Sequence, residues 1–167
     1  DQLLRRKLKL LIGSPRCTGF SQSLNLGQMD PEKRRLLVEE CADHLDYMVG
    51  KYEEQDDSDN PFLHEAPHNA VGSWHRSSVV SLLNRPGILF VRNDQCETGQ
   101  TTVDHEGFIG PAMKTTGWIT NSSEIAKELE KFQCRNRTAT SEEERHQHIH
   151  LMGGRPKDCE NYSPVLV

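Results

Sequence analysis

A long helical pattern between two short apolar stretches constrains the fold more than any other feature of this sequence. Asp30-Pro31-Glu32 predicts a helix start, because Asp is a good N-cap, Pro suits the first helical position and an acid is favourable in the first turn. Apolar residues then recur at helical spacing as far as about Tyr52. Leu8–Ile12 before this helix and 61–65 after it predict strands, with an acidic loop at 53–59 ending the helix. The order is therefore strand, helix, strand.

The same alternation continues along the rest of the chain. Further elements are predicted as a short helix at 79–84, a strand at 87–92, a loop at 94–110, a strand at 116–120 and a helix that begins at Ser122 or Ser123. Strands that alternate with helices are typical of a parallel sheet covered by helices. The sequence therefore predicts an α/β fold with a parallel sheet and flanking helices.

Composition narrows the class of protein. The chain has 167 residues, of which 34% are hydrophobic, so we expect one domain or a piece of one with a thin core. No apolar run reaches the length of a membrane span, and we expect no membrane partner. The net charge of -5 argues against a dedicated nucleic-acid binder. Five cysteines without any C-x-x-C pair indicate a reduced protein inside the cell, nuclear or cytoplasmic.

Two chemically useful side chains follow neighbouring predicted strands. Cys17 lies in a Gly-Ser-Pro turn after the first strand, and Glu65 ends the second. Ligands of parallel sheets bind at the carboxyl ends of the strands, so these two residues are expected at one site although they are far apart in sequence. A thiol at such a turn can act as a nucleophile, and a carboxyl group beside it can act as an acid. Taken alone, a buried inert thiol and a surface acid remain open alternatives.

The turn also resembles the catalytic loop of the DNA cytosine-5 methyltransferases, G-x-P-C-x-x-F-S. The matching residues are Gly13, Pro15 (shifted by one), Cys17, Gly19, Phe20 and Ser21. The segment 62–67 is similar to the family's glutamate motif, with Glu65 as the counterpart. A looser similarity to methyltransferase-like proteins of phages and retroelements covers 110–121 and 148–155.

The resemblance implies a mechanism and a set of site residues. Cys17 would attack carbon 6 of a flipped cytosine, and Glu65 would hold ring nitrogen 3. Residues implied to bind the substrate are Ser14, Pro15, Arg16, Ser21, Lys114 and Thr116. The implied methyl donor is S-adenosylmethionine, the implied partner is DNA, and the implied fold is a partial Rossmann-like sheet whose N-terminal cofactor-binding strands are missing. On this interpretation 1–133 is the catalytic half of the domain and 134–167 is a His-rich extension of it.

Departures from the family pattern accompany these matches. Arg16 stands where the family has proline before its cysteine, and Ala66-Pro67 replaces the residues after the glutamate. The family's paired-arginine motif is absent, and its Gly-rich donor loop would lie upstream of the first strand. We therefore expect a segment of a longer protein that is incomplete or inactive by itself and is completed by the missing N-terminal half. The alternative is a non-enzymatic nucleic-acid-binding or scaffolding segment of a mobile-element polyprotein.

A separate pattern near the C-terminus places three histidines at every second position, at His146, His148 and His150. On a strand they would share one face, where imidazoles can bind zinc, and Cys134 and Cys159 flank them. The spacing matches no zinc motif, and alternate histidines also form an ordinary polar strand face. We expect no metal site, with these three histidines as the candidates for one.

Overall fold

The computed structural model describes residues 9–21, 29–151 and 159. The strands are β1 (Leu11–Gly13), β2 (Phe62–Pro67), β3 (Leu89–Asp94), β4 (Thr101–Val103), β5 (Ile109–Met113), β6 (Thr115–Thr120) and β7 (Ile149–His150). The helices are α1 (Pro31–Asp56), α2 (Val71–Trp74), α3 (Ser77–Leu83) and α4 (Ser123–Glu130). This content confirms the α/β class. Within the described residues, no helix is both long enough and apolar enough to cross a membrane.

Helix α1 begins as predicted but ends later. The Asp30 carboxylate accepts hydrogen bonds from the backbone N–H groups of Glu32 and Lys33, at 3.1 and 3.0 Å. The predicted end near Tyr52 was wrong, because the acidic run continues the helix to Asp56. Glutamate and glutamine are good helix formers, and Gln55 is buried against the start of β2. The Arg85 guanidinium also pairs with Asp56 at 2.8 Å, which offsets negative charge at this end.

The larger sheet has the strand order β1-β2-β6-β3. Strands β1 and β2 are parallel, as predicted, and α1 is their crossover. The expectation of a wholly parallel sheet was wrong. Thr120 at the end of β6 donates to the carbonyl of Phe62 at the start of β2, at 2.6 Å, so β6 runs antiparallel to β2. The Phe62 N–H also donates to Oδ1 of Asn121, the residue that follows β6, at 3.0 Å, so two contacts join the end of β6 to the start of β2.

The predicted loop at 94–110 is largely structured. Gln95–Thr98 forms a 3-10 turn, and β4 then pairs antiparallel with β5 to give a hairpin. Strand β7 joins β5 in parallel, with Ala112 opposite Ile149. Threonine and valine in 101–103 favour a strand, but only the pairing with β5 stabilises such a short segment. The prediction of a loop, made from the glycine and threonine content of this segment, was therefore wrong for the part that forms the β4–β5 hairpin.

Two compact units divide the described residues. The first comprises the described parts of Asp1–Val91 with Gly117–Ala126, and the second comprises those of Arg92–Thr116 with Lys127–Val167. The first unit contains the main hydrophobic core. Its fully packed members are Leu45, Val49, Tyr52, Phe62, Val79, Leu82 and Ile119. The apolar face of α1 thus packs on β2 and α3, as its helical periodicity predicts.

Candidate functional site

The parallel pairing of β1 with β2 brings two predicted site residues into contact. Gly13 lies opposite His64, so the next residues, Ser14 and Glu65, are neighbours. Ser14 follows the end of β1, whereas Glu65 lies within β2, two residues before its end, and does not end the strand as predicted. The Ser14 hydroxyl donates a hydrogen bond to Oε2 of Glu65. Glu65 is buried, with 7% of its surface exposed, whereas Ser14 is exposed. The pair therefore places one buried carboxyl group beside the carboxyl end of β1, near the end of the sheet where ligands of parallel sheets bind.

Two glycines hold the cysteine turn close to α1. A Cβ at Gly13 would lie 2.1 Å from the Tyr52 hydroxyl oxygen and 2.5 Å from Cε of Met48. A Cβ at Gly19 would lie 2.9 Å from the backbone carbonyl oxygen of Leu37. The Gly19 N–H also donates to Sγ of Cys41 at 3.3 Å. The turn can pack this closely only because both positions lack a side chain.

Cys17 lies between these two anchors. It is half-buried and immediately precedes the 3-10 turn Thr18–Phe20, whose last N–H donates to the Cys17 carbonyl at 2.9 Å. Pro15 is buried, and Ser21 follows the turn with its N–H on the carbonyl of Thr18. The cysteine is thus displayed on a short turn fixed at both ends by its glycines.

Arg16 contacts two side chains of α1. Its guanidinium pairs with Glu40 at 3.0 Å, and its N–H donates to Nδ1 of His44 at 3.3 Å. Both members of the ion pair are more than half exposed, so the pair contributes little to stability. The backbone hydrogen bond, by contrast, fastens the residue before Cys17 to the middle of α1.

Two buried aromatic side chains near Glu65 were not predicted from the sequence as site residues. Tyr52 and His64 are buried, with the hydroxyl oxygen 3.3 Å from Nδ1 of the imidazole. Burial, followed by the charge of Glu65, raises the pKa of Tyr52, and burial lowers the pKa of His64 to about 4. Both side chains are therefore neutral at physiological pH. Tyr52 had been assigned only to the core face of α1, and no local signal connects it to Glu65.

Lys114 and Thr116, which the resemblance implies to be substrate-binding, have other contacts within the second unit. The Lys114 ammonium group donates to the carbonyl of Cys159 at 2.8 Å. Thr116 is fully buried, with its hydroxyl 3.4 Å from Nε2 of Gln95. Of the predicted site residues, Ser14 and Glu65 are therefore in direct contact, and the other members of the cysteine turn adjoin them in sequence.

The second unit contains a cluster of cysteine and histidine side chains. Three of its members were named in the sequence analysis, and the fourth, Cys96, was not. Ligand atoms of Cys96, Cys134, His146 and His148 all lie within 4.8 Å of one another. His150 and Cys159 are outside this group, since His150 is exposed on β7. The alternation on one strand face does not hold, because β7 comprises only Ile149 and His150. Cys96 was missed because nothing in its local sequence links it to a residue 38 positions later.

The titration of this cluster reflects its burial. Burial and the neighbouring Cys134 thiol raise the pKa of Cys96. Burial and the nearby His146 ring lower the pKa of His148, so the imidazole is neutral at physiological pH. Burial works to raise the pKa of Asp94, but hydrogen bonds led by that from Arg137 outweigh it and lower the pKa to about 2. An ionised carboxylate therefore stands beside the cluster.

Comparison with protein-family models, with curated proteins and with solved structures finds no match to this chain. The candidate functions below accordingly rest on the geometry of the described residues and on the motif resemblance of the cysteine turn.

Proposed function

We propose that this chain is the catalytic half of a domain resembling the DNA cytosine-5 methyltransferases, with Cys17 as nucleophile and Glu65 as the acid that holds the base. One observation carries the proposal: the parallel pairing of β1 and β2 brings Ser14, in the turn that carries Cys17, next to Glu65, and its hydroxyl donates to the Glu65 carboxyl group. The proposal includes a Rossmann-like methyltransferase sheet, which is a more specific fold than the α/β class described above.

The geometry supports distinct roles for the two residues. The half-buried thiol lies on a turn whose glycines keep it close to α1. Sγ would bond to carbon 6 while the electrons of the C5–C6 double bond shift towards ring nitrogen 3. A protonated Glu65 would hold that nitrogen with its O–H, and the Ser14 hydroxyl would fix the other carboxyl oxygen.

Burial and a hydrogen bond hold Glu65 in place. The residue is 7% exposed, and the Ser14 hydroxyl donates to its Oε2. The resemblance implies that this carboxyl group acts as the acid. The base would be recognised in the form that accepts a hydrogen bond at nitrogen 3, which is the unprotonated ring of cytosine.

The cysteine turn does not fit a donor-binding role for S-adenosylmethionine. Glycines of a nucleotide-binding loop leave space for the ligand, whereas Gly13 and Gly19 are in close contact with Tyr52 and with the backbone of α1. We therefore assign no described residue to the methyl donor. In the proposed function the donor is held by another part of the parent protein.

Covalent trapping tests the proposal. The parent protein that carries this segment is incubated with S-adenosylmethionine and DNA containing 5-fluorocytosine, whose fluorine blocks release of the enzyme. We expect an adduct stable to denaturing gels, with the modified peptide containing Cys17, and none with Cys17→Ser. Glu65→Gln should slow trapping by about 10²-fold or more, as expected for loss of a positioned acid. Cys159→Ser is the matched control and should trap normally.

The opposite result supports the non-enzymatic alternative. Absence of an adduct in the parent protein, with DNA retention unchanged in Cys17→Ala, would reject a nucleophilic role for Cys17. The segment would then be a nucleic-acid-binding or scaffolding part of a mobile-element polyprotein. An adduct that persists in Cys17→Ser would equally reject the assignment of Cys17.

A further inference from the structure

The second unit contains four metal-ligand side chains in a compact arrangement. Sγ of Cys134 is 3.5 Å from Nε2 of His146 and 3.5 Å from Nε2 of His148. Tetrahedral zinc with ordinary bond lengths separates a sulfur from a nitrogen ligand by about 3.6 Å. The two imidazole nitrogens are 2.8 Å apart, somewhat closer than the edge of about 3.4 Å that a bound ion would impose. The cluster therefore needs little movement to surround one ion.

The chemistry of the donors selects the metal. Two thiols and two imidazoles form the S₂N₂ set that favours zinc over magnesium or calcium. Four protein ligands complete a tetrahedron and leave no position for water or substrate. Such closed sites stabilise structure, whereas catalytic zinc sites keep one position open. The donor set thus points to a structural role.

Carboxylates fix the backbone and rings around the cluster. Oδ2 of Asp94 accepts from the Cys134 N–H at 2.9 Å and from Nε of Arg137 at 2.8 Å. Oε1 of Glu97 accepts from the Arg135 N–H at 3.0 Å and lies 3.9 Å from Nδ1 of His146. A carboxylate facing the second nitrogen of a zinc-binding histidine is a common outer-shell arrangement, because it orients the ring and favours the correct tautomer.

Asn136 holds the histidine segment from the other side. Its amide oxygen accepts from the His146 N–H at 2.9 Å, and its amide nitrogen donates to the His146 carbonyl at 2.8 Å. This two-way contact fixes the backbone of His146 next to the turn that follows Cys134. The ligands are thus held by interactions that do not themselves need a metal.

The second unit buries few apolar side chains, so a metal site would add substantially to its stability. The large apolar cluster lies in the first unit. Among its described hydrophobic residues the second unit buries only Ala112, Leu129, Ile149 and the two cysteines Cys134 and Cys159. A unit with so few buried apolar side chains gains little from the hydrophobic effect, and small units of this kind are often stabilised by a structural metal.

We propose that the second unit binds one structural Zn²⁺ through four side chains, Cys96, Cys134, His146 and His148. The ion joins the 3-10 turn after β3, the turn after α4 and the segment that leads into β7. This site is independent of the proposed methyltransferase chemistry, because all its ligands lie in the second unit.

Elemental analysis of the full chain without a histidine tag is the direct test. We expect about one zinc per chain after dialysis against metal-free buffer, as for other tetrahedral structural sites. Cys134→Ser and His148→Gln should lose the zinc. Cys159→Ser and His150→Gln remove the same chemical groups outside the cluster and should keep it. Zinc below about one tenth of an equivalent, a level that trace contamination explains, would overturn the proposal. Equal zinc in all four variants would also overturn it.

Cobalt replaces zinc in a second measurement that needs no variant to fold. Addition of Co²⁺ to the metal-free wild-type chain should give a thiolate-to-cobalt charge-transfer band and the intense visible bands of tetrahedral coordination. A weak octahedral spectrum without the thiolate band would reject the S₂N₂ site. Glu97→Gln tests the positioning role of Glu97: the tetrahedral spectrum should remain while zinc affinity falls about 10- to 100-fold. Unchanged affinity would reject that role.

Discussion

Gly13 shows how a single residue can determine where the candidate site lies. The residue ends β1 directly over the Tyr52 hydroxyl, and the turn that displays Cys17 begins immediately after it. The resemblance singled out this glycine as part of a motif. The structure adds a physical reason, which is that any side chain here would collide with α1.

Substitution of Gly13 is predicted to destabilise the first unit. Gly13→Ala places a Cβ 2.1 Å from the Tyr52 oxygen, and such overpacking costs about 1 to 3 kcal/mol. Gly50→Ala is the matched control, because its Cβ meets nothing within 4 Å and alanine favours a helix interior, so it should stabilise by up to about 1 kcal/mol. Urea unfolding measures both. Equal effects of the two substitutions would contradict the close packing.

His64 is predicted to make the first unit sensitive to mild acid. Burial lowers its folded pKa to about 4, below the unfolded value of 6.5, so the fold favours the neutral imidazole. The unfolded chain takes up a proton first as pH falls. Stability from this residue is therefore complete above about pH 6.5 and is lost as pH falls towards about 4, by a total of about 3 kcal/mol.

The free energy of unfolding against pH checks this assignment. His64→Gln should be less stable than wild type at neutral pH, since the Tyr52 contact is altered, and should lack the loss between about pH 6.5 and 4. His75→Gln, at an exposed histidine of the same unit, should follow the wild-type curve. A His64→Gln curve parallel to wild type throughout this range would exclude His64 as the titrating group.

At the level of elements, helix α1 was the most predictable part of the chain. Its start depends on Asp30 and Pro31, which act on the backbone within three residues. Its end was less predictable, because the last turn is retained by Gln55 packing and by Arg85, a residue 29 positions beyond Asp56. Local signals thus fixed the first turn, and a distant side chain extended the last.

The cap of α1 gives a prediction at the scale of the element. Asp30→Ala removes the acceptor for the Glu32 and Lys33 N–H groups and should cost about 1 kcal/mol. Asp30→Asn keeps an acceptor at the same position and should cost less than half as much. Hydrogen exchange of the first-turn amides, with the midpoint of thermal unfolding, measures the change. Equal losses in both variants would mean that the charge, rather than the cap, is responsible.

Strand direction was beyond the reach of these local signals. Strands β1 and β2 were predictable as parallel neighbours because α1 supplies a crossover between them. Strand β6 runs antiparallel to β2, and the segment before it, predicted as a loop, contains the β4–β5 hairpin. The pairing partner therefore decides whether such a segment is strand or loop.

For the whole molecule, the two units differ in what stabilises them. The first has an apolar core between α1, β2 and α3, whereas the second buries few described apolar side chains and contains carboxylate–guanidinium pairs such as Asp94 with Arg137 and Glu97 with Arg135. The candidate site residues divide in the same way, with the cysteine turn in the first unit and the Cys/His cluster in the second. Each unit thus contains a different set of candidate functional side chains.

The exposed edge of the larger sheet is predicted to promote association between chains. Strand β1 is an edge strand in the described residues, and Ile12 is 63% exposed there. Unpaired apolar edges favour intermolecular pairing, and an edge lysine opposes it. Ile12→Lys should therefore reduce concentration-dependent association in sedimentation velocity, while Ile12→Val should behave like wild type. An unchanged sedimentation profile for Ile12→Lys would mean that chains associate through another surface. A wild-type chain that stays monomeric at all concentrations would contradict the predicted association.

The sequence by itself determined the strand–helix–strand beginning, the start of α1 at Asp30 and the position of Cys17 on a turn after an apolar strand. These features follow from caps, periodicity and turn residues, which act over a few neighbouring positions. Only the tertiary structure decided the contact of Ser14 with Glu65, the reversal of β6 and the meeting of Cys96 with Cys134. The physical reason is that such contacts depend on which surfaces pack together after distant segments fold, and no short stretch of sequence carries that information.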